Sequence, residues 1–175
     1  MHLAALEDVD YKRKKLEFWD GVGHDIDMTC IRPSVLCEPL IDTCDKKFIN
    51  SNHCIIAEFD LYTVKVEDLD FSAHYELTFT RNDTFSGVVG WFDCVFSKMK
   101  NQVVLSTSPY AKYTHWKQVT FYTEKDISVS RGDVISGSIA VRKSKSNFRE
   151  LDVKISYHLK GLYSNNSFYQ LYKIR

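Results

Sequence analysis

From about Phe48 onward, apolar and polar residues alternate along most of the chain. Tyr75, Leu77 and Phe79 alternate with Glu76, Thr78 and Thr80. Leu151, Val153, Ile155, Tyr157 and Leu159 alternate with Asp152, Lys154, Ser156 and His158. Successive side chains of a strand point to opposite faces, so each run predicts a strand with one buried and one wet face. Phe85 to Phe96 is apolar at both parities, which predicts a central strand covered on both sides. Between Ile55 and Val66 the apolar parity switches after Leu61, the pattern of a β-bulge or strand bend. Turn signals separate the runs at Arg81-Asn82-Asp83, Arg131-Gly132-Asp133, Ser144-Lys145-Ser146-Asn147 and Lys160-Gly161. Many antiparallel strands at this spacing predict a mainly β fold, an antiparallel barrel or sandwich.

The chain before Phe48 has a different texture. Asp8 to Gly21 reads as a helix, with Leu16 and Trp19 three apart and charges elsewhere. Gly21 and Gly23 would end it. Lys12-Arg13-Lys14-Lys15 reads as a solvated helix face. Ile31 to Asp45, with Pro33 and Pro39, reads as irregular.

Composition narrows the class. At 175 residues the chain predicts one domain, 1–175. Its formal net charge is zero, which argues against a face spread for direct nucleic-acid binding. No apolar run is long enough to predict a membrane-spanning helix. Met1 to Asp8 has neither the basic start nor the apolar core of an export signal, so Asn82-Asp83-Thr84 and Asn165-Asn166-Ser167 read as turns and Arg131-Gly132-Asp133 as a hairpin turn. Cys30, Cys37, Cys44, Cys54 and Cys94 show no Cys-x-x-Cys pair, and read as free thiols in a reducing compartment, the cytoplasm or nucleus. No metal is predicted.

Candidate chemistry concentrates in Thr114-His115-Trp116, between the turn-forming Thr107-Ser108-Pro109 and the strand-like Val119-Thr120-Phe121-Tyr122. A loop entering a strand can aim a hydroxyl, an imidazole and an indole at a cleft. The same residues also suit a core: Trp116 as a buried anchor, His115 bonded to a buried carbonyl. The only Gly-x-Gly, Gly21-Val22-Gly23, follows a helix, the wrong context for a dinucleotide loop. Glu67-Asp68-Leu69-Asp70 reads as strand-end charge.

Several segments agree in identity and spacing with one family. Asp60-Leu61-Tyr62-Thr63-Val64-Lys65-Val66-Glu67-Asp68-Leu69, Ser106-Thr107-Ser108-Pro109, Thr114-His115-Trp116-Lys117-Gln118 and Leu151-Asp152 resemble the C-terminal β-barrel half of protein arginine methyltransferases. The match runs in order from Ala5-Leu6-Glu7-Asp8 to Tyr172-Lys173-Ile174-Arg175. The Thr-His-Trp loop is similar to that of type I enzymes, which make asymmetric dimethylarginine.

The resemblance carries several implications. Residues 11–42 would be a helical dimerisation arm inserted near the start of the barrel, with Phe18, Trp19 and Met28 reaching the cofactor domain of a second copy to form a homodimer. His115 would be a catalytic half-site, Trp116 one wall of an arginine slot, and Thr114 a substrate-side loop residue. S-adenosylmethionine and the glutamates that clamp arginine belong to a Rossmann-like domain not found in these residues, so none of that cofactor is expected on this chain and the chain alone is expected to be inactive. Arginine-containing proteins would be the substrates. The segment between Trp19 and Asp27 is one residue longer than usual, and Val103-Val104-Leu105 and Ala111-Lys112 depart from common family forms. A stand-alone interaction barrel without catalysis is the alternative reading.

Overall fold

The computed structural model describes residues 1–20, 26–162 and 165–175. Eleven strands and two α-helices are present among them: β1 His2–Leu6, α1 Val9–Glu17, α2 Arg32–Cys37, β2 Leu40–Asp42, β3 Ile49–Ile55, β4 Phe71–Thr78, β5 Asp83–Trp91, β6 Asp93–Phe96, β7 Val103–Ser106, β8 Gln118–Val129, β9 Val134–Lys143, β10 Leu151–Lys160 and β11 Asn165–Ile174. All pairings between strands are antiparallel. They build a sheet in the order β2-β8-β5-β1-β3, a second in the order β11-β10-β9-β4, and a separate ribbon of β6 and β7.

The two sheets join at one corner, where Ser51 bridges Phe79 and the Thr80 amide donates to the Asn50 carbonyl at 2.8 Å. Across the opposite seam, the Gln170 side chain stands in for backbone. Its amide nitrogen donates to the Tyr122 carbonyl at 3.0 Å and its oxygen accepts the Glu124 N–H at 3.0 Å. The result is the mainly β, antiparallel barrel that the alternation predicts.

Burial follows the sequence pattern. Tyr75, Leu77, Val153, Ile155, Tyr157 and Leu159 are buried between the sheets against Leu3, Phe85, Val88 and Phe121. The other face of the β1/β5/β8 sheet is covered too, because Ala4, Leu6, Val89, Trp91 and Tyr122 pack with Leu36 of α2. That double cover explains why β5 is apolar at both parities. Buried hydroxyls find partners, as they must: Tyr75 donates to the Ser156 carbonyl at 2.8 Å and Tyr172 to the Tyr122 carbonyl at 3.0 Å.

Four expectations are corrected. The central strand stops at Trp91, because Phe92 gives both its backbone groups to Thr107 and the chain turns away into β6. The parity switch after Leu61 marks a turn: the Asp60 carboxylate accepts the Tyr62 N–H at 3.0 Å, and the Asp60 carbonyl accepts from Thr63 and Val64. Residues 32–37 are helical, since Pro33 sits in the first turn of α2, where its missing N–H costs nothing. Asn165-Asn166-Ser167 begins β11 and pairs with β10. Glu67-Asp68-Leu69-Asp70 does lie at a strand end, in and just after the 3₁₀ turn Val66–Leu69 that leads into β4; Asp68 accepts the Lys65 N–H at 2.9 Å and Asp70 accepts that of Lys143 at 2.9 Å. Gly21 and Gly23 lie outside the described residues. Arg131-Gly132-Asp133 is a tight turn, with Gly132 at φ 91°.

The basic helix face also differs from expectation. Lys12 is only 3% exposed, and its ammonium meets the Asp126 carboxylate of β8 at 2.7 Å. Beside it the Tyr122 hydroxyl donates to Asp8 at 2.7 Å and stacks on Tyr11. The root of α1 is thereby fastened to β8. Lys12 is buried although Asp126 is exposed, so removing the carboxylate strands a covered charge, which costs more than the pair contributes. We therefore expect Asp126→Ala to lower stability by about 2–3 kcal/mol, and Lys12→Met with Asp126→Leu to recover most of it, as read by urea denaturation.

Candidate functional site

The start of β8 organises a cleft of about 90 Å³ between residues 43–44, 107–109, 111–114 and Trp116. Gln118, buried at the first position of the strand, holds two remote segments. Its oxygen accepts the Cys44 N–H at 2.7 Å and its nitrogen donates to the Thr107 carbonyl at 2.6 Å. Thr107 in turn donates its hydroxyl to the Phe92 carbonyl at 2.8 Å. Ser106 donates to Asp93 at 2.6 Å, tying the same corner to β6. The polar residues at the base of the cleft are thus occupied with architecture.

The Thr114-His115-Trp116 loop stands on that base. The Thr114 hydroxyl donates to the Trp116 carbonyl at 3.0 Å, closing a local turn. Trp116 is 53% exposed, and the His115 ring is exposed and edge-on to it at 6.0 Å. The core reading of these two residues therefore fails. Lys117 lies on the rim, donating to Thr43 at 2.9 Å and to the Tyr113 hydroxyl at 3.0 Å, with its ammonium 4.6 Å from the Tyr113 ring centre. The Tyr113 bond and the Asp42 carboxylate hold this amine above its ordinary range.

The cleft lining among the described residues includes no carboxylate. Its one thiol is inert: burial pushes Cys44 up from an ordinary 9.0 to about 12, helped by the Asp8 and Asp45 carboxylates. A thiolate is the nucleophilic form, so Cys44 supplies none near neutrality. A group raised on folding stabilises below its unfolded value and loses that contribution as pH climbs toward the folded one. We expect stability to fall between pH 9 and 12. Between pH 8 and 10 the Cys44 share is roughly 1 kcal/mol. Cys44→Ser should remove that share in paired denaturation curves at the two pH values.

Sequence reasoning gave Gln118, Thr43 and Cys44 no role. Their signal was faint, a polar residue at the buried first position of a strand and partners far away in sequence. Of the arm residues, Phe18 and Trp19 are in edge-to-face contact at 5.2 Å, with Phe18 66% exposed. Met28 lies apart in sequence, half-buried before the 3₁₀ turn Thr29–Ile31. Arg32 pairs with Asp20 at 3.1 Å across the described ends of this region. No cluster of metal-ligating residues occurs among the described residues.

The family model for the arginine methyltransferase oligomerization subdomain matches residues 1–162. The chain belongs to that family. Protein arginine N-methyltransferase 1 of Schizosaccharomyces pombe is 47% identical over 157 residues, covering 90% of this chain and 46% of the relative. Protein arginine N-methyltransferase 8-B of Danio rerio is 40% identical over 175 residues, covering 100% of this chain and 42% of the relative. The chain therefore spans about half the length of these curated relatives. Among solved structures, the PRMT1 enzyme–prozyme heterotetrameric complex with AdoHcy of Trypanosoma brucei superposes with a TM-score of 0.93 at 26% identity, over 99% of this chain and 55% of that one. The fold described above is thus that of an arginine methyltransferase C-terminal barrel.

Proposed function

We propose that this barrel is the substrate-side and oligomerisation portion of a type I protein arginine N-methyltransferase, and that it methylates only together with a cofactor domain binding S-adenosylmethionine. The observation that carries this reading is the exposed indole of Trp116 over a cleft whose lining has no carboxylate. An indole face attracts a guanidinium by about 0.5–2 kcal/mol. It cannot make a group with a pKa above about 12 nucleophilic, which takes opposed carboxylates in a water-poor site. Trp116 is then one wall of an arginine slot. Thr114 sets the loop, and His115 meets an acidic residue of the cofactor domain. Phe18, Trp19 and Met28 form a docking ridge for a second copy, in keeping with the heterotetrameric assembly of the trypanosomal relative. Arginine-containing proteins are the substrates, and the cytoplasm or nucleus the setting.

Joining this chain in frame to the cofactor domain of a relative tests the reading. Mass spectrometry of an arginine-rich peptide should then show asymmetric dimethylarginine. Symmetric dimethylarginine would refute the type I assignment, and no methylation by a folded, adenosylmethionine-binding chimera would favour a non-catalytic interaction barrel.

A further inference from the structure

The β6–β7 ribbon meets the barrel at its base, where Asp93 lies 3.1 Å from His2 of β1 and Gln118 of β8 donates to the Thr107 carbonyl at 2.6 Å. Neither strand has a second strand partner among the described residues. A lone two-stranded ribbon is marginal in water. This one is also apolar on both faces, with Val95, Phe96, Met99, Val103 and Val104 each about half exposed. Proteins protect a free sheet edge with charge, proline, or a bulge. The β7 edge, Val103-Val104-Leu105-Ser106, carries no charge and no proline, and its register with β6 is unbroken from Asp93↔Ser106 to Phe96↔Val103.

We propose that the β7 edge pairs with the β7 edge of a second copy, making a four-stranded antiparallel sheet across a two-fold axis. Charge placement favours this occupant. The lysines of the ribbon, Lys98 and Lys100, sit at its tip. Antiparallel pairing about a two-fold sends the two tips to opposite ends, so like charges separate while the uncharged edges meet. The side chains of Val103 and Val104 gain cover on both faces of the joined sheet. The contact is distinct from the arm, whose exposed aromatics include Phe18, and it does not depend on the chain being half of a methyltransferase.

Sedimentation velocity of this chain across a wide concentration range tests the proposal. Wild type should self-associate reversibly. Val104→Lys, a half-exposed position, should weaken association about tenfold or more by placing charge at the edge. Phe18→Asp should leave that step in place. A monomer at every concentration, or association unchanged in Val104→Lys and lost in Phe18→Asp, overturns the proposal. Should Val104→Lys fail to fold, hydrogen exchange of wild type decides: β7 amides must gain protection as concentration rises, and equal exchange throughout is a negative result.

Discussion

Gly137→Ala is expected to destabilise the barrel by roughly 4 kcal/mol. Gly137 lies mid-strand in β9, between Tyr75 of β4 and Tyr157 of β10. A methyl group built there would overlap the Ser156 carbonyl and come within 3.1 Å of the Tyr75 hydroxyl. Those two atoms are hydrogen-bonded at 2.8 Å, the hydroxyl belonging to a buried tyrosine. The clash is with backbone, so relief requires the β9–β10 ladder to part or Tyr75 to leave its partner. Overpacking typically costs about 1–3 kcal/mol, and a buried hydroxyl left unpaired adds about 1–3 kcal/mol more. Their sum, roughly 4 kcal/mol, is a large share of a single domain's margin of about 5–15 kcal/mol. Equilibrium denaturation of Gly137→Ala beside Gly90→Ala makes the comparison, since a methyl at Gly90 would meet nothing nearer than 3.7 Å. Near-wild-type stability of Gly137→Ala would mean that the packing around Tyr75 is looser than described.

The second large effect is on chemistry. In an enzyme completed by a cofactor domain, Trp116→Ala and His115→Ala should each lower methyl transfer by about 10²-fold, the size seen when a reacting group is misplaced by an ångström. Neither side chain carries the fold, because both are exposed at the end of a loop that Gln118 and Thr114 hold independently. Stability should therefore stay within about 0.5 kcal/mol of wild type. The two variants should differ in kind. Loss of the indole removes a contact to the bound cation, so KM rises along with any fall in kcat. If His115 meets the cofactor domain as proposed, loss of the imidazole loosens that tie, so kcat falls while peptide affinity changes little. An unfolded Trp116→Ala would return that residue to the role of core anchor.

The sequence patterns that proved readable were those written by local geometry. Alternation in Tyr75–Phe79 and Leu151–Leu159 reports one buried face, and the double parity read over Phe85–Phe96 reports two as far as Trp91, so strands and barrel are legible without a partner in view. The errors arose where a residue's meaning depended on something remote. Lys12 looked like one charge in a basic helix face, and only Asp126, on another strand, makes it a buried ion. Pro33 reads in sequence as an interruption, yet the same ring that breaks a helix interior suits a first turn. Asp60 ends a strand pattern through its own side chain, which parity counting does not register.

The site divides in the same way. Thr114, His115 and Trp116 stood out because three chemically loaded residues share a loop entering a strand. Gln118 did not, because its function is to hold Cys44 and Thr107, which the fold brings together from 74 and 11 residues away.

The central claim is incompleteness: one wall of an arginine slot, with activation and methyl donor supplied from elsewhere. Isothermal titration of S-adenosylmethionine into residues 1–175, followed by addition of an arginine-rich peptide, addresses it most directly. The account predicts no measurable heat of cofactor binding and no methylated peptide. Saturable binding with micromolar affinity, or any turnover by this chain alone, would contradict it.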